Sequence, residues 1–305
     1  MDPTKTLYFL VGPTAVGKTR FALEWAEAQG AEILSCDAFC VYKGMDIGTA
    51  KPTAEEQGRV PHHGIDLVDV DTLYSVADYT AEARAVVADV LSRGRDLLIA
   101  GGSGFYLKSF FAPVVDKIHV SPEIRERAGW IFETGGLEGA VDELRALNPA
   151  GLGDLDTKNP RRVARALERC LASGRSLAEQ AEAFSRQGTP FDGFRRRVCL
   201  LERDTAELDR RAEARARAML AEGLVEEVAR LRGEGIEGNP SASKAIGYRE
   251  TLRCLNGEYA EDELLAAITR NTRRLVRKQR TWFRTQIPVD RRVDAAKVSA
   301  AELFA

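Results

Sequence analysis

The chain has 305 residues and a formal net charge of −2, with 44% hydrophobic and 30% charged residues, which is typical of a globular protein. No apolar run of about 18 residues occurs, so the composition excludes a membrane-spanning helix. The N-terminus enters an apolar strand almost at once, which predicts a cytoplasmic protein without a signal peptide. Five scattered cysteines and three histidines favour buried thiols over a structural metal.

The first motif follows an apolar run at residues 6–11 that predicts a strand, and a helix is predicted at 18–29. Between them lies a complete G-x-x-x-x-G-K-T phosphate loop (P-loop), formed by Gly12, Pro13, Thr14, Ala15, Val16, Gly17, Lys18 and Thr19. Glycines let the backbone N–H groups curl around a polyphosphate, Lys18 supplies a positive charge, and the Thr19 hydroxyl can ligate Mg²⁺. The sequence therefore predicts a phosphorylated ligand.

A second strand is predicted at 31–36, and Asp37 follows its last residue. A carboxylate at the carboxyl edge of a parallel sheet, beside a phosphate loop, can act as a general base or position Mg²⁺. The alternative is an aspartate that caps a turn or a helix.

A helix at 78–93, a strand at 96–100 and a helix at 104–111 come next. An NTPase usually closes an apolar strand with an aspartate that helps hold Mg²⁺. Here the strand runs into Gly101–Gly104 without an acid, and in the weaker candidate at 65–69 the acids alternate through the run. ATP hydrolysis is therefore not favoured.

The middle of the chain is mostly helical, with helices predicted at 123–134, 137–147 and 161–172 and a linker at 185–193. An apolar strand at 196–201 then returns the chain to the first sheet. The predicted fold class is α/β: a P-loop NTPase-like parallel sheet flanked by helices, with a mostly helical insertion domain. Residues 1–113 and 194–305 form the core domain, and residues 114–193 form the insertion.

Helices at 204–222, 224–232, 247–255 and 261–284 complete the predicted elements. The last of them carries a basic run without an acid, made of Arg270, Arg273, Arg274, Arg277, Lys278, Arg280 and Arg284. Spacings of three and four residues place many of these on one helix face. The run favours contact with a polyanion over a merely solvated face.

Several segments, in the same order along the chain, resemble those of the bacterial tRNA dimethylallyltransferases (tRNA isopentenyltransferases). They are GPTAVGKT at 12–19, SCDAFCVYKGMDIGTAKP at 35–52, VPHHGID at 60–66, YSVADY at 74–79, GGSGFYLK at 101–108, NPRRVARALE at 159–168, SKAIGYRE at 243–250 and KQRTWFR at 278–284. The resemblance implies transfer of a dimethylallyl group from dimethylallyl diphosphate to the N6 amine of the adenosine 3′-adjacent to the anticodon in tRNA.

The same resemblance implies residue roles. The P-loop residues would hold the diphosphate, with Thr19 towards Mg²⁺, and the catalytic residues would be Asp37 as general base, Ser103, and Arg215 on the diphosphate. Residues implied to contact the tRNA anticodon stem-loop are Asp37, Ala38, Phe39, Cys40, Ser103, Arg125, Arg161, Arg162, Val163, Ala164, Arg165, Lys244, Ala245, Ile246, Gly247, Tyr248 and Arg249. The expected cofactor is Mg²⁺, and the expected state is a monomer that binds no membrane.

Three positions depart from the family pattern. Ser103 replaces a threonine but keeps the hydroxyl, while Arg217 and Asn159 replace acidic residues, which puts local tRNA contacts in doubt. The aromatic residues Phe39, Tyr248, Trp282 and Phe283 are candidates either to stack on bases or to fill the core.

Three other functions remain as alternatives. A small-molecule kinase would also use a P-loop, but it would need the carboxylate-closed strand. An adenylate isopentenyltransferase acting on a free nucleotide would share the diphosphate chemistry, but it would need neither the basic insertion nor the basic C-terminal helix. A non-catalytic RNA-binding protein would not need the P-loop together with Asp37.

Overall fold

The structure is a computed structural model that describes residues 5–116, 118–258 and 260–305. The chain divides into two compact units. One comprises the chain up to Ala112 together with Pro190–Ala305, and the other comprises Pro113–Thr189.

The first unit is built on a six-stranded sheet with strand order β3-β2-β4-β1-β5-β6, in which every neighbouring pair is parallel. Its strands are β1 (Thr6–Val11), β2 (Glu32–Cys36), β3 (His62–His63), β4 (Leu97–Gly101), β5 (Arg195–Glu202) and β6 (Arg291–Asp294). The predicted α/β fold with a parallel sheet is confirmed.

The helices lie between these strands and in the second unit, which holds α5 to α7. In chain order they are α1 (Lys18–Gln29), α2 (Ala54–Arg59), α3 (Val76–Ser92), α4 (Gly104–Lys108), α5 (Pro122–Ala146), α6 (Pro160–Ser173), α7 (Leu177–Ser185), α8 (Thr205–Ala221), α9 (Leu224–Gly233), α10 (Tyr248–Leu255) and α11 (Glu261–Thr285).

Both faces of the sheet are buried, which explains why its central strands are almost continuously apolar. On one face, Leu34 and Ile99 pack in a cluster with Tyr79 of α3. On the other face, Leu98 packs in a cluster with Phe21 and Trp25 of α1. Parallel strands covered on both sides by helices leave the carboxyl edge of the sheet as the place where ligands bind.

The second unit has a small apolar core of its own, formed by α5 and α6 around residues such as Leu144 and Leu167. Helix α5 is interrupted at Gly136, whose φ of 62° and ψ of −162° are not helical. This break lies between the two helices predicted at 123–134 and 137–147. A glycine tolerates this left-handed φ without the strain that a side chain would add.

The candidate strand at 65–69 is not a strand. Asp66 has a φ of 53°, and only an isolated bridge joins Tyr42 to Val68. The prediction also missed the short elements α2, α7, β3 and β6. Capping boxes at Thr53 and Ser176 mark the starts of α2 and α7, and both can be recognised from the sequence. No helix in the described part of the chain is long and apolar enough to cross a membrane.

Candidate active site

The P-loop joins β1 to α1 at the carboxyl edge of the sheet. Gly12 has a φ of 157°, and a Cβ there would lie 2.8 Å from the carbonyl oxygen of Leu201, so no side chain fits. Gly17, at the start of α1, has a φ of 106°, and Ala15 has a φ of 67°. Such conformations let the backbone curl tightly, as a loop that surrounds an anion requires.

Lys18 folds over the loop that carries it. Its Nζ donates hydrogen bonds to the carbonyl oxygens of Gly12 at 2.8 Å and Pro13 at 3.0 Å. Burial lowers the pKa of Lys18 to about 8, with Asp37 opposing the shift and Arg215 adding to it. Three charged side chains therefore lie close enough to influence one another at the same end of the sheet.

Two further arginines bond the backbone of the P-loop. Nε of Arg203, just after β5, donates to the carbonyl oxygen of Val16 at 3.0 Å. Nε of Arg211 in α8 donates to the carbonyl oxygen of Ala15 at 2.7 Å. Both guanidinium groups thus bond carbonyl oxygens of the P-loop rather than competing for its N–H groups.

Asp37 and Ser103 are brought together by the register of the sheet. Cys36 at the end of β2 pairs with Gly101 at the end of β4, so the residues that follow are neighbours. The Ser103 hydroxyl oxygen accepts a hydrogen bond from the N–H of Ala38 at 2.8 Å, and the Ser103 N–H donates to the carbonyl oxygen of Cys36 at 3.2 Å. Ser103 thus fixes the backbone on both sides of Asp37.

Arg215 reaches the site from α8. Its guanidinium donates to the carbonyl oxygen of Thr49 at 2.9 Å, and burial lowers its pKa while Asp37 opposes that shift. An arginine nonetheless stays protonated at any working pH. Arg215 therefore adds a permanent positive charge beside Lys18.

The loop that orients Arg215 is held by a buried carboxylate that sequence reasoning missed. Glu227 accepts hydrogen bonds from the N–H groups of Asp46 at 3.2 Å, Ile47 at 2.9 Å and Gly48 at 3.4 Å. Its other contact is the hydroxyl of Tyr248, which donates to it at 2.5 Å. Nothing in the local sequence identifies Glu227, because its partners lie far away along the chain.

These elements enclose a cavity of about 720 Å³, within the range of small-ligand sites. Predicted site residues that line it are Thr14, Ala15, Gly17, Lys18, Thr19, Asp37, Cys40 and Arg215. Arg203 and Arg211 line it as well, and no prediction included them. Arg211 lies four residues before Arg215, a helical spacing that could have revealed it.

The segment at 244–249 is largely buried. Lys244 is exposed, whereas the side chains of Ala245 and Tyr248 are in the core. Arg249 forms an ion pair with Glu250. Gly48 packs against the ring of Tyr248 so closely that a Cβ would lie 2.3 Å from a ring carbon. Of the two roles that the sequence leaves open for Tyr248, the buried ring therefore fills the core rather than stacking on a base.

The other aromatic candidates differ in exposure. Phe283 is 1% exposed and belongs to the core, so it cannot stack on a base either. Trp282 and Phe39 are half-buried. Cys40 is also buried, which leaves its backbone rather than its thiol available for contact.

In the second unit, Arg161, Arg162 and Arg165 are exposed on α6, whereas Val163 between them faces the core. Arg125 on α5 is exposed, and Ala164 is half-buried. Asn159, where the family pattern has an acid, caps α6 through its Oδ1, which accepts from the N–H of Arg162 at 3.3 Å. Asparagine caps as well as aspartate, so the helix start is preserved.

The basic face of α11 follows helical spacing. Residues 270, 274, 277 and 284 fall on one side of the helix, and all four arginines are exposed. Across the described ranges, no carboxylate lies within ion-pairing distance of any of the four, whereas Arg273 pairs with Asp209 and Glu213. Arg217, the third departure from the family pattern, pairs with Glu213 at 3.4 Å.

Residues 40–286 match the IPP transferase family. The chain is 56% identical to a tRNA dimethylallyltransferase from Opitutus terrae over 290 residues, covering 95% of this chain and 93% of that one. A solved tRNA isopentenylpyrophosphate transferase from Bacillus halodurans superposes with a TM-score of 0.69 at 32% identity, covering 96% of this chain and 90% of that one. A eukaryotic dimethylallyltransferase acting on tRNA shares the fold, with a TM-score of 0.81 at 22% identity, covering 96% and 74%.

Proposed function

This chain belongs to the IPP transferase family, whose relatives are tRNA dimethylallyltransferases, and we therefore propose how its own residues carry out prenyl transfer to tRNA. The donor is dimethylallyl diphosphate. The acceptor is the N6 amine of the adenosine 3′-adjacent to the anticodon, and diphosphate is released. The observation that carries this proposal is the convergence of a P-loop, Asp37 and Arg215 on one cavity.

The P-loop stabilises the leaving diphosphate. As the allylic C–O bond breaks, its electron pair goes to the diphosphate oxygen and positive charge develops on carbon. Backbone N–H groups of the loop, Lys18 and Arg215 stabilise the charge on the leaving diphosphate. Because these donors are fixed before the reaction, they do not need to reorganise as the charge forms.

Asp37 acts on the acceptor amine as a general base. An adenine amine is a poor nucleophile, so its proton must pass to a base while the new N–C bond forms. The Asp37 carboxylate takes this proton. Ser103 positions the base through the N–H of Ala38 and the carbonyl of Cys36.

A divalent cation fits the donor set, and we propose Mg²⁺. The described residues hold no cluster of three or more His, Cys, Asp or Glu side chains that could bind a metal. Mg²⁺ is usually held by one or two protein groups together with water and substrate phosphates. The Thr19 hydroxyl, which lines the same cavity, would supply such a group. When bound, the ion would neutralise diphosphate charge.

The RNA contacts follow from charge. We propose that Arg125, Arg161, Arg162 and Arg165 in the second unit contact phosphates, as do Lys244 and the exposed arginines of α11. At 37–40 and 103, contact with the adenosine would come mainly from backbone and polar groups. Removing a base from the anticodon stack costs a few kcal/mol, which phosphate contacts can offset. We expect a monomer that acts in the cytoplasm.

A free-nucleotide acceptor is the second candidate, since it needs only the cavity of the first unit. A kinase is not favoured, because β4 ends in Gly101 without an acid. The two prenyl acceptors are distinguished by giving the enzyme an anticodon stem-loop and AMP in parallel.

The test is incubation with Mg²⁺, dimethylallyl diphosphate and an anticodon stem-loop with an adenosine on the 3′ side of the anticodon, followed by nucleoside mass spectrometry. We expect a gain of one C5H8 unit on that adenosine. Asp37→Asn should lower kcat by about 100-fold or more, because a general base contributes at least that factor. Asp69→Asn, which removes an exposed carboxylate paired with Lys43, is the matched control and should leave kcat unchanged.

Transfer to AMP but not to RNA would assign the acceptor to free nucleotides. Transfer to RNA that persists at the wild-type rate in Asp37→Asn would reject Asp37 as the base.

A further inference from the structure

The side chain of Gln279, in α11, lies between two loops of the active site. Its Oε1 accepts a hydrogen bond from the N–H of Thr14 in the P-loop at 2.8 Å. Its Nε2 donates to the carbonyl oxygen of Gly102, in the loop that follows β4, at 3.1 Å. One side chain thus bonds the loop that surrounds the diphosphate and the loop that carries Ser103.

The contact requires this residue type. A side-chain amide offers an acceptor and a donor next to each other on one uncharged planar group. The N–H of Thr14 must face an acceptor and the carbonyl of Gly102 must face a donor, so the orientation of the amide is determined. A glutamate would retain the bond to Thr14 but place negative charge against the Gly102 carbonyl and in the diphosphate site.

The surrounding packing leaves little room for movement. A Cβ at Gly102 would lie 2.8 Å from Nε2 of Gln279 and 3.7 Å from Nζ of Lys18. One turn further along α11, Trp282 packs on Gly104, where a Cβ would lie 2.7 Å from the indole ring. Gln279 therefore projects from a helix that is itself fixed against the Ser103 loop.

The hydrogen bond between Gln279 and Thr14 also determines which N–H groups of the P-loop remain for a ligand. The N–H of Thr14 is used by Gln279, and the N–H of Val16 donates to the carbonyl of Pro13 at 3.3 Å. Within the described part of the chain, no acceptor takes the N–H groups of Ala15 and Gly17. These, together with the N-terminal amides of α1, are the donors left for a diphosphate.

We propose that Gln279 is a positioning residue that holds the P-loop and the Ser103 loop at a fixed separation. Through it, the C–O bond that breaks at the diphosphate and the amine that attacks beside Asp37 are kept in line. This inference rests on the proposed function. A displacement of about 1 Å between reacting groups can cost about 100-fold in rate, so a single bridging side chain suffices to matter.

The test compares Gln279→Leu and Gln279→Glu with Gln286→Leu and Gln286→Glu, which make the same changes at the end of the same helix. We expect kcat to fall by about 10- to 100-fold in Gln279→Leu, with the midpoint of thermal unfolding close to that of the wild type. In Gln279→Glu we also expect KM for dimethylallyl diphosphate to rise, because the new charge repels the substrate. The Gln286 variants should match the wild type in all three quantities.

A second variant alters the contact between Gln279 and Gly102 through a change at Gly102. Gly102→Ala leaves Gln279 in place but pushes a methyl group against its amide, and it should reproduce the fall in kcat. If Gln279→Leu lowers kcat only in proportion to a loss of folded protein, or if both Gln279→Leu and Gly102→Ala turn over at the wild-type rate, the positioning role is rejected.

Binding of inorganic pyrophosphate, measured by calorimetry, separates this proposal from the proposed function. It needs no RNA acceptor, so it reports on the P-loop even if transfer to tRNA fails in the wild type. Weaker pyrophosphate binding in Gln279→Leu than in Gln286→Leu, a pair without any added charge, supports the positioning role. Equal binding in these two variants overturns it.

Discussion

Lys18 has an unusual electrostatic environment for a residue that we propose to bind the diphosphate. Its pKa is lowered from 10.5 to about 8, mainly by burial, with Asp37 opposing the shift and Arg215 adding to it. The lysine is therefore mostly protonated at pH 7 and mostly neutral at pH 9. A bound diphosphate places negative charge beside it and favours the protonated form.

We predict that the affinity for inorganic pyrophosphate falls as the pH rises through about 8, by about tenfold between pH 7 and pH 9, because the neutral amine loses its attraction for the ligand. The measurement is calorimetry at a series of pH values. Lys18→Arg is the control, since a guanidinium keeps its charge over this range. Titration of pyrophosphate itself affects both proteins equally, so identical pH profiles in the two would contradict the prediction.

At the scale of elements, the loop between β2 and α2 depends on α9 for its shape. Glu227 of α9 is 7% exposed and accepts from three consecutive loop N–H groups. The same loop presents the carbonyl of Thr49 to Arg215. A carboxylate with four donors around it is satisfied despite its burial, and it links α9 to the loop that bonds Arg215 at the proposed diphosphate site.

Glu227→Gln should lower the free energy of unfolding by about 2–3 kcal/mol, because the new amide hydrogens face donors that have lost their acceptor. It should also lower kcat, since Arg215 loses an oriented carbonyl. Urea denaturation and steady-state kinetics measure the two effects. Tyr248→Phe removes only the hydroxyl that donates to Glu227 and should cost about 1 kcal/mol. If Glu227→Gln were no more destabilising than this control, the carboxylate would not organise the loop.

The sequence was sufficient to predict what depends on local pattern. Apolar runs predicted the parallel sheet, and the position of Asp37 after β2 placed it at the edge where the P-loop lies. It was not sufficient for contacts made across the fold. Gln279 and Glu227 act on residues separated from them by 265 and by about 180 positions, and no periodicity links such pairs. For Tyr248 the sequence left open whether the ring stacks on a base or fills the core, and only the packing across the fold places it in the core.

For the molecule as a whole, the net charge of −2 conceals basic surfaces on both units. Exposed arginines on α6 and on α11 lie apart in sequence, and acidic residues elsewhere in the chain balance their positive charge. Phosphate contacts depend on such local patches rather than on the total charge. The division of the chain therefore separates the proposed diphosphate site, whose lining lies in the first unit, from part of the proposed RNA-binding surface.

This separation can be tested by removing the second unit. The first unit has its own core on both faces of the sheet, and the two points where the chain leaves and re-enters it are close together, since the rings of Phe110 and Phe191 lie 4.3 Å apart. A short glycine linker joining Ala112 to Pro190 should therefore leave the sheet intact. Pyrophosphate affinity should stay within about twofold of the full chain, because every P-loop contact is retained.

Transfer to the anticodon stem-loop should fall by at least about 100-fold in this variant, because the loss of three or more phosphate contacts weakens RNA binding steeply at physiological salt. Calorimetry and the nucleoside mass assay measure the two quantities side by side. The charge-reversal variant Arg161→Glu with Arg165→Glu, in the full chain, controls for effects of the deletion itself and should shift KM for RNA in the same direction. A deletion variant that binds pyrophosphate and modifies RNA as fast as the full chain would show that the first unit, which includes α11, suffices for RNA recognition.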